Sequence, residues 1–160
     1  MEQWANYFLA TGGAAAALTG LIFVSVSLNL KRILSLPHLP GRALGSLILL
    51  TNILLISSFS LIPGQSIFWL GCEILLVNMI LWIVITRMDI AMYKGTEKQY
   101  KPHYLQNLFF SQLAIVPYLA AGVCLLLNCN DGFYCLIPGI TFSFIKSLID
   151  SWVLLVEINR

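Results

Sequence analysis

Long apolar runs separated by short polar connections dominate the chain. Five runs are long enough to be considered as membrane spans, at about 8–30, 43–62, 66–86, 106–127 and 133–155. A helix needs about 20 predominantly apolar residues to cross the hydrocarbon core of a bilayer. It also satisfies its own backbone hydrogen bonds there, which an open strand does not. The pattern therefore predicts an all-α, polytopic membrane helix bundle of about five transmembrane helices, forming a single domain over residues 1–160.

The composition supports a protein that is covered by lipid. Hydrophobic residues make up 59% of the chain and charged residues only 10%, whereas a soluble domain carries about 25% charge. The first expected partner is therefore the lipid bilayer. The formal net charge of +2 is too small to indicate a nucleic-acid partner.

The distribution of basic residues predicts the orientation in the membrane. Seven of the nine Lys and Arg residues fall in the first and third connections, namely Lys31, Arg32, Arg42, Arg87, Lys94, Lys98 and Lys101. Cytoplasmic loops carry an excess of Lys and Arg. We therefore expect the N-terminus outside and the C-terminus inside, which requires an odd number of spans.

A polar stripe runs along the fifth predicted span. It includes Ser143, Lys146, Ser147 and Asp150, at the spacings of three and four that put residues on one helix face. A charge at the middle of the bilayer costs about 2.5–3.5 kcal/mol on insertion scales. The stripe should therefore face other helices or water.

A further ionisable residue, Glu73, lies in the third predicted span. Because the lysine side chain is long and leans toward the helix N-terminus, we expect a triad of Glu73, Lys146 and Asp150. Two interpretations stay open for this triad. It is either a clamp that fixes how the helices pack or part of an ion or proton path, since ionisable residues inside a membrane often mark one.

Small residues repeat every four positions in the first span, at Gly12, Ala16 and Gly20. Such a face lets two helix backbones approach closely, which is the main source of attraction between helices in lipid. The contact can lie within one protomer or between protomers. A homo-oligomer that uses this face is the sharper prediction.

Cys129 and Cys135 flank the predicted fourth connection, on the side expected to be outside. A disulfide between them is expected if that side is oxidising. His38 and His103 stand alone, without the spacing of zinc ligands. No catalytic motif is evident, so we expect no enzyme activity, no metal and no cofactor.

Three segments carry a resemblance to a known group of proteins: "GGAAAALTGLIFVSVSLNLKRIL", "LPGRAL" and "SLIPGQ". Together they resemble small bacterial multi-spanning membrane proteins that are described as modulators of the FtsH protease. The resemblance covers about residues 8–73 and implies a multi-pass protein of the bacterial inner membrane.

Three functions follow as expectations. The first is a homo-oligomeric channel or small transporter for ions that uses the stripe on the fifth span. The second is a non-catalytic protein that binds and modulates another membrane protein, such as a protease. The third, a membrane enzyme, is the least favoured.

Overall fold

A computed structural model of the chain describes residues 2–36, 39–94, 101–129 and 131–158. These described residues form six helices: α1 (Glu2–Leu28), α2 (Leu30–Ser35), α3 (Leu39–Ser60), α4 (Ile67–Lys94), α5 (Lys101–Leu126) and α6 (Gly132–Ile158). No strand occurs within those described ranges. The five long helices are each apolar enough to cross a membrane. The predicted all-α, polytopic fold is confirmed.

The helices extend beyond the predicted spans. α4 continues to Lys94, where the apolar run had suggested an end near residue 86. Apolar length measures only the part of a helix that lies in hydrocarbon, and polar residues can continue the same helix into the interface. The short helix α2 was not predicted; it follows a break at Asn29, whose side-chain amide donates to the Ser25 carbonyl at 3.0 Å. His38, in the first predicted connection, and Lys98, in the third, lie outside the described residues.

Four helices form a ring, and α1 lies outside it. In the ring, α3 packs against α6, α6 against α5, α5 against α4, and α4 again against α3. The contact between α3 and α4 is the least extensive of the four. α1 packs mainly along α3. As a result, α5 separates α4 from α6.

The two ends of the bundle differ in chemistry. At one end, which we call the basic end, exposed cations lie on α2 and on the last turns of α4, namely Lys31, Arg32, Arg87 and Lys94. At the other, the aromatic end, Trp4 stacks on Phe133 with ring centroids 5.8 Å apart and meets Tyr134 edge-on at 5.0 Å. Aromatic residues of this kind are enriched where a helix meets the membrane surface.

The burial pattern is the reverse of that in a soluble protein. Leu28 is 81% exposed and Leu21 is 68% exposed, whereas Lys146 is only 5% exposed. Large apolar side chains over the outside of the bundle are satisfied by lipid, and charged groups are hidden from it. The chain is therefore built for a bilayer.

The half of the bundle next to the aromatic end is closely packed. A Cβ added at Gly71 of α4 would lie 2.9 Å from the backbone nitrogen of Leu126, so these two helices nearly touch there. Gly139 of α6 allows a similar approach to the Tyr118 ring, at 2.9 Å. Around these glycines the interior is filled by buried apolar side chains such as Ile74.

The small-residue face of α1 is divided between two environments. Gly12 packs within the protomer, where an added Cβ would lie 3.0 Å from the Ser57 Cβ of α3. Ala16 and Gly20 are exposed, and nothing lies within 4 Å of a Cβ added at Gly20. Packing within the protomer thus explains the small residue at Gly12. For Ala16 and Gly20, a contact between protomers stays a prediction.

Candidate functional site

Buried and half-buried charged and polar side chains from four helices meet in the half of the bundle next to the basic end. We call this the charge cluster; its members are Arg42 of α3, Asp89 of α4, Asn107 and Ser111 of α5, and Lys146 and Asp150 of α6. Arg42 lies three residues from the first residue of α3, and Asp89 lies five residues before the end of α4. The cluster is therefore a few turns inside the basic end.

The innermost ion pair joins two residues of α6. Lys146 Nζ donates to Asp150 Oδ2, and the i,i+4 spacing places the two side chains one above the other on the helix. Both are almost fully buried, with side chains 6% and 4% exposed. Arg42 Nη1 lies 4.0 Å from the other oxygen of Asp150, so this carboxylate faces two cations.

The side-chain amide of Asn107 connects the ion pair to a second carboxylate. Its oxygen accepts a hydrogen bond from Lys146 Nζ at 2.8 Å, and its nitrogen donates to Asp89 Oδ1 at 3.0 Å. An amide has both a donor and an acceptor, so it fits between an ammonium group and a carboxylate. The result is a continuous series of contacts from Arg42 to Asp89.

One oxygen of Asp89 has no partner. Asp89 is 5% exposed, and its Oδ2 is buried without a hydrogen bond. The Ser111 hydroxyl interacts with this carboxyl as a side-chain hydrogen-bonding group, but in the structure it donates to the Asn107 carbonyl at 3.1 Å. A hydroxyl has a single hydrogen to donate. Buried polar atoms are rarely left unpaired, so Asp89 Oδ2 calls for an explanation.

A small cavity lies beside the Asp89 side chain. The space open to the centre of a water-sized sphere is about 20 Å³, enough for one or two waters, since each needs about 10–15 Å³ by that measure. Its polar wall is the charge cluster, and its apolar wall comes from α3 and α4, through Gly41, Gly45, Leu49, Ile85, Met88 and Met92. An added Cβ at Gly45 would meet nothing within 4 Å. A side chain at Gly45 would therefore enter open space beside the cavity wall.

Two serines of the predicted stripe serve packing in this structure. Ser143 accepts a hydrogen bond from the buried Tyr118 hydroxyl at 3.2 Å. Ser147 donates to the Ser46 carbonyl of α3 at 3.3 Å. Neither belongs to the lining of the cavity. Of the predicted stripe, only Lys146 and Asp150 reach the cavity.

The predicted ion pair between Glu73 and Lys146 is not formed. Glu73 instead accepts a hydrogen bond at 2.6 Å from Gln65, in the turn between α3 and α4. Glu73 lies six residues into α4, and Lys146 lies fourteen residues into α6. At about 1.5 Å per residue, the depths from the aromatic end are about 9 Å and about 21 Å. This difference, with α5 between the two helices, is more than a lysine side chain spans, and Asp89 takes the place proposed for Glu73.

The predicted disulfide between Cys129 and Cys135 is likewise not formed. All four cysteines are free. Cys135 lies in the first turn of α6 and interacts with the Cys124 thiol of α5. Cys129 is exposed, after the end of α5, and its thiol points toward the Leu127 carbonyl at 3.9 Å.

Sequence reasoning missed Asp89 and Arg42 as site residues because it placed both in connections. A signal was present in the spacing of buried residues. On α4, Asn78, Ile85 and Asp89 lie seven and four residues apart and share a buried face. If the helical periodicity had been extended beyond the apolar run, Asp89 would have been predicted on the face of α4 that packs into the bundle.

Fold and site together define a multi-pass α-helical membrane protein with a buried charge cluster near one end. Comparison of the chain with known protein families, with curated proteins and with solved structures finds no match. The resemblance of the N-terminal region to proteins described as FtsH modulators therefore stays a prediction.

Proposed function

We propose that the protein is a small ion transporter that works as a homo-oligomer, with the charge cluster as its ion site. One observation carries the proposal: Asp89, a buried carboxylate with one unpartnered oxygen, lines a cavity large enough for water. Ionisable residues within a membrane are costly and commonly mark a path for ions. A pure structural clamp has no need for an unpaired carboxylate oxygen or for an open space next to it.

A transporter fits better than an open pore through one protomer. Toward the aromatic end, the buried polar groups are paired with each other: Tyr118 donates to Ser143 at 3.2 Å, and Asn52 donates to Asn78 at 2.9 Å. Asn52 lies ten residues after Arg42 on α3, which is about 15 Å at the helix rise of about 1.5 Å per residue. Between these levels lie the buried apolar side chains of Leu49 and Ile85. An ion at the cluster would therefore need a conformational change to move further.

The basic end is the side on which this transporter would exchange ions with the cytoplasm. Its exposed cations match the excess of Lys and Arg in cytoplasmic loops. We accordingly place the protein in a plasma membrane, with the N-terminus outside. The resemblance described above is the basis for taking this membrane to be the bacterial inner membrane.

The test is ion flux in liposomes that contain the purified protein. Wild type should move ions above the level of protein-free liposomes. Gly45→Val should reduce that flux, because it adds bulk at a residue that lines the cavity without removing a charge. Thr51→Val is the matched control, since Thr51 is an exposed residue of the same helix. Flux equal to that of protein-free liposomes, or an unaffected Gly45→Val variant, contradicts the proposal.

A second candidate function is the binding of a different membrane protein. The observation that favours it is the exposed face of α1, where Ala16 and Gly20 leave room for the close approach of a helix. Cross-linking in native membranes separates the two kinds of contact. A product of twice the protomer mass indicates self-association, and a stoichiometric product of another mass indicates a different partner.

A further inference from the structure

We propose that the ion handled by the charge cluster is the proton, and that Asp89 is the carboxylate that takes it up. This inference rests on the proposed transport function and adds the substrate and the residue that receives it. The supporting features are the unpartnered oxygen of Asp89, the cavity that the Asp89 side chain lines and the charged groups around it.

The number of free oxygen ligands favours a proton over a metal cation. Hard cations such as Ca²⁺ take about six to eight oxygen ligands, and Mg²⁺ requires about six. Among the side-chain oxygens that line the cavity, Asp89 Oδ2 is the one that is buried without a partner. In the described part of the chain, no group of three or more His, Cys, Asp or Glu side chains could hold a metal ion. A proton needs only one oxygen.

The charges that face Asp89 come from two other helices. Lys146 and Asp150 of α6 act on it through space, and Arg42 of α3 lines the same cavity. From α5 it meets the uncharged Asn107 and Ser111. With both carboxyls ionised the two cations and two anions balance, so the cluster has no net charge. Uptake of one proton by Asp89 brings the net charge to +1.

The transfer step is simple and balanced. A hydronium ion in the cavity gives its proton to the Asp89 carboxyl; an O–H bond forms on the carboxyl, one O–H bond of the hydronium breaks, and a water remains. The cavity has room for that water. The new O–H group is a donor where the carboxylate had only acceptors. Release is the reverse step, to a water that enters the cavity.

The Asn107 amide links this step to the α6 ion pair. While Asp89 is ionised, it accepts from the amide nitrogen and so holds the amide oxygen toward Lys146. A hydrogen bond to a neutral acid is weaker than one to a carboxylate. Protonation of Asp89 therefore loosens the amide and leaves Lys146 to its remaining partner, Asp150. This gives proton uptake on α4 a direct effect on the contact between α5 and α6.

The experiment uses wild-type protein in liposomes that enclose a pH-sensitive dye, with an imposed potassium diffusion potential. Proton entry should be well above that of protein-free liposomes, and Asp89→Asn should abolish it. Glu73→Gln is the matched control, because it removes a carboxylate that bonds to Gln65 and lies outside the cluster. That control should transport protons as wild type does. Sodium and potassium fluxes are measured on the same preparations.

A second measurement does not depend on transport. Infrared titration of the protein in lipid should show the carbonyl stretch of a buried carboxylic acid that appears as the pH falls. The band should be absent from Asp89→Asn and present in Glu73→Gln. This holds as long as Asp89→Asn keeps the wild-type helix content by circular dichroism; if it does not, Asp89→Glu, which should shift the band rather than remove it, decides the point.

The outcomes distinguish the inference from the function on which it rests. Sodium or potassium flux without proton flux leaves the transport function standing and overturns the proton inference. Proton flux that persists in Asp89→Asn, or a titrating band that persists in that variant, also overturns it. No flux of any of the three ions contradicts both proposals.

Discussion

The ion pair on α6 gives the sharpest test of how the charge cluster contributes to folding. Lys146→Met removes the ammonium group and keeps most of the apolar stem of the side chain. The change leaves Asp150 nearly buried, with Arg42 Nη1 at 4.0 Å as the cation that remains near it. It also leaves the Asn107 oxygen without the donor that it has now.

The expected cost follows from these lost partners. Breaking a buried ion pair by removing one member costs about 3–5 kcal/mol, because the other charge stays buried. Because Arg42 remains near Asp150, the loss of stability in Lys146→Met should lie toward the lower end of that range. In the double variant Lys146→Met with Asp150→Leu, the Asp150 carboxylate is removed together with its cation, and the half-buried Arg42 loses its 4.0 Å contact with Asp150. The main cost of the double variant is the Asn107 oxygen, at about 1–3 kcal/mol for an unsatisfied buried acceptor, so it should be more stable than Lys146→Met alone.

The assay is the free energy of unfolding in mixed detergent micelles for wild type, both single variants and the double variant. Lys31→Met is the control, because Lys31 is exposed on α2 and surface changes are usually within about 0.5 kcal/mol. A double variant whose loss equals the sum of the two single losses would show that Lys146 and Asp150 are not coupled. Single variants as stable as Lys31→Met would show that both charges are solvated, and the reasoning would be refuted.

Three further predictions concern the topology, the assembly and the thiols. In a cysteine-free background, Ser66→Cys should react with a membrane-impermeant thiol reagent from outside and Lys94→Cys from inside; labelling of both from one side rules out five spans in this orientation. Ala16→Phe should weaken self-association in mild detergent, whereas Thr51→Phe, at an exposed residue of α3, should not. Equal self-association of the two variants would contradict a protomer contact through α1. Mild oxidation should link Cys135 to Cys124, its neighbour in the structure, and peptide mapping that finds a different pairing would contradict this.

The positions of the membrane helices could be predicted from sequence because one physical requirement dominates them. Each span needs enough apolar residues to cross the hydrocarbon, and that is a property of a run of residues taken alone. Where each helix ends depends instead on the interface, which tolerates polar residues in helical conformation. For this reason the continuation of α4 to Lys94 and the separate helix α2 were missed.

The charge cluster could be predicted only in part. Lys146 and Asp150 lie deep in an apolar run, so their burial follows from sequence alone. Arg42 and Asp89 lie near helix ends, where a charged side chain can turn to water or to the bundle with equal ease. The choice depends on how each helix is rotated against its neighbours, and that is set by packing among four helices. Glu73 shows the reverse error, because the long Lys146 side chain was expected to reach it, whereas the two residues differ in depth by about 12 Å at about 1.5 Å per residue.

The spacing of Lys146 and Asp150 has a consequence for how the protein is made. Since the two charges lie one helical turn apart on α6, they neutralise each other within that single helix, before any neighbour is in place. α6 therefore enters the membrane at a lower cost than two separate charges would impose. Arg42 and Asp89, near the ends of their helices, can reach the membrane surface until the bundle closes. The cluster thus comes into existence only when the separately inserted helices associate, so a cell that contains every span in the membrane still lacks the site until the last of them has docked.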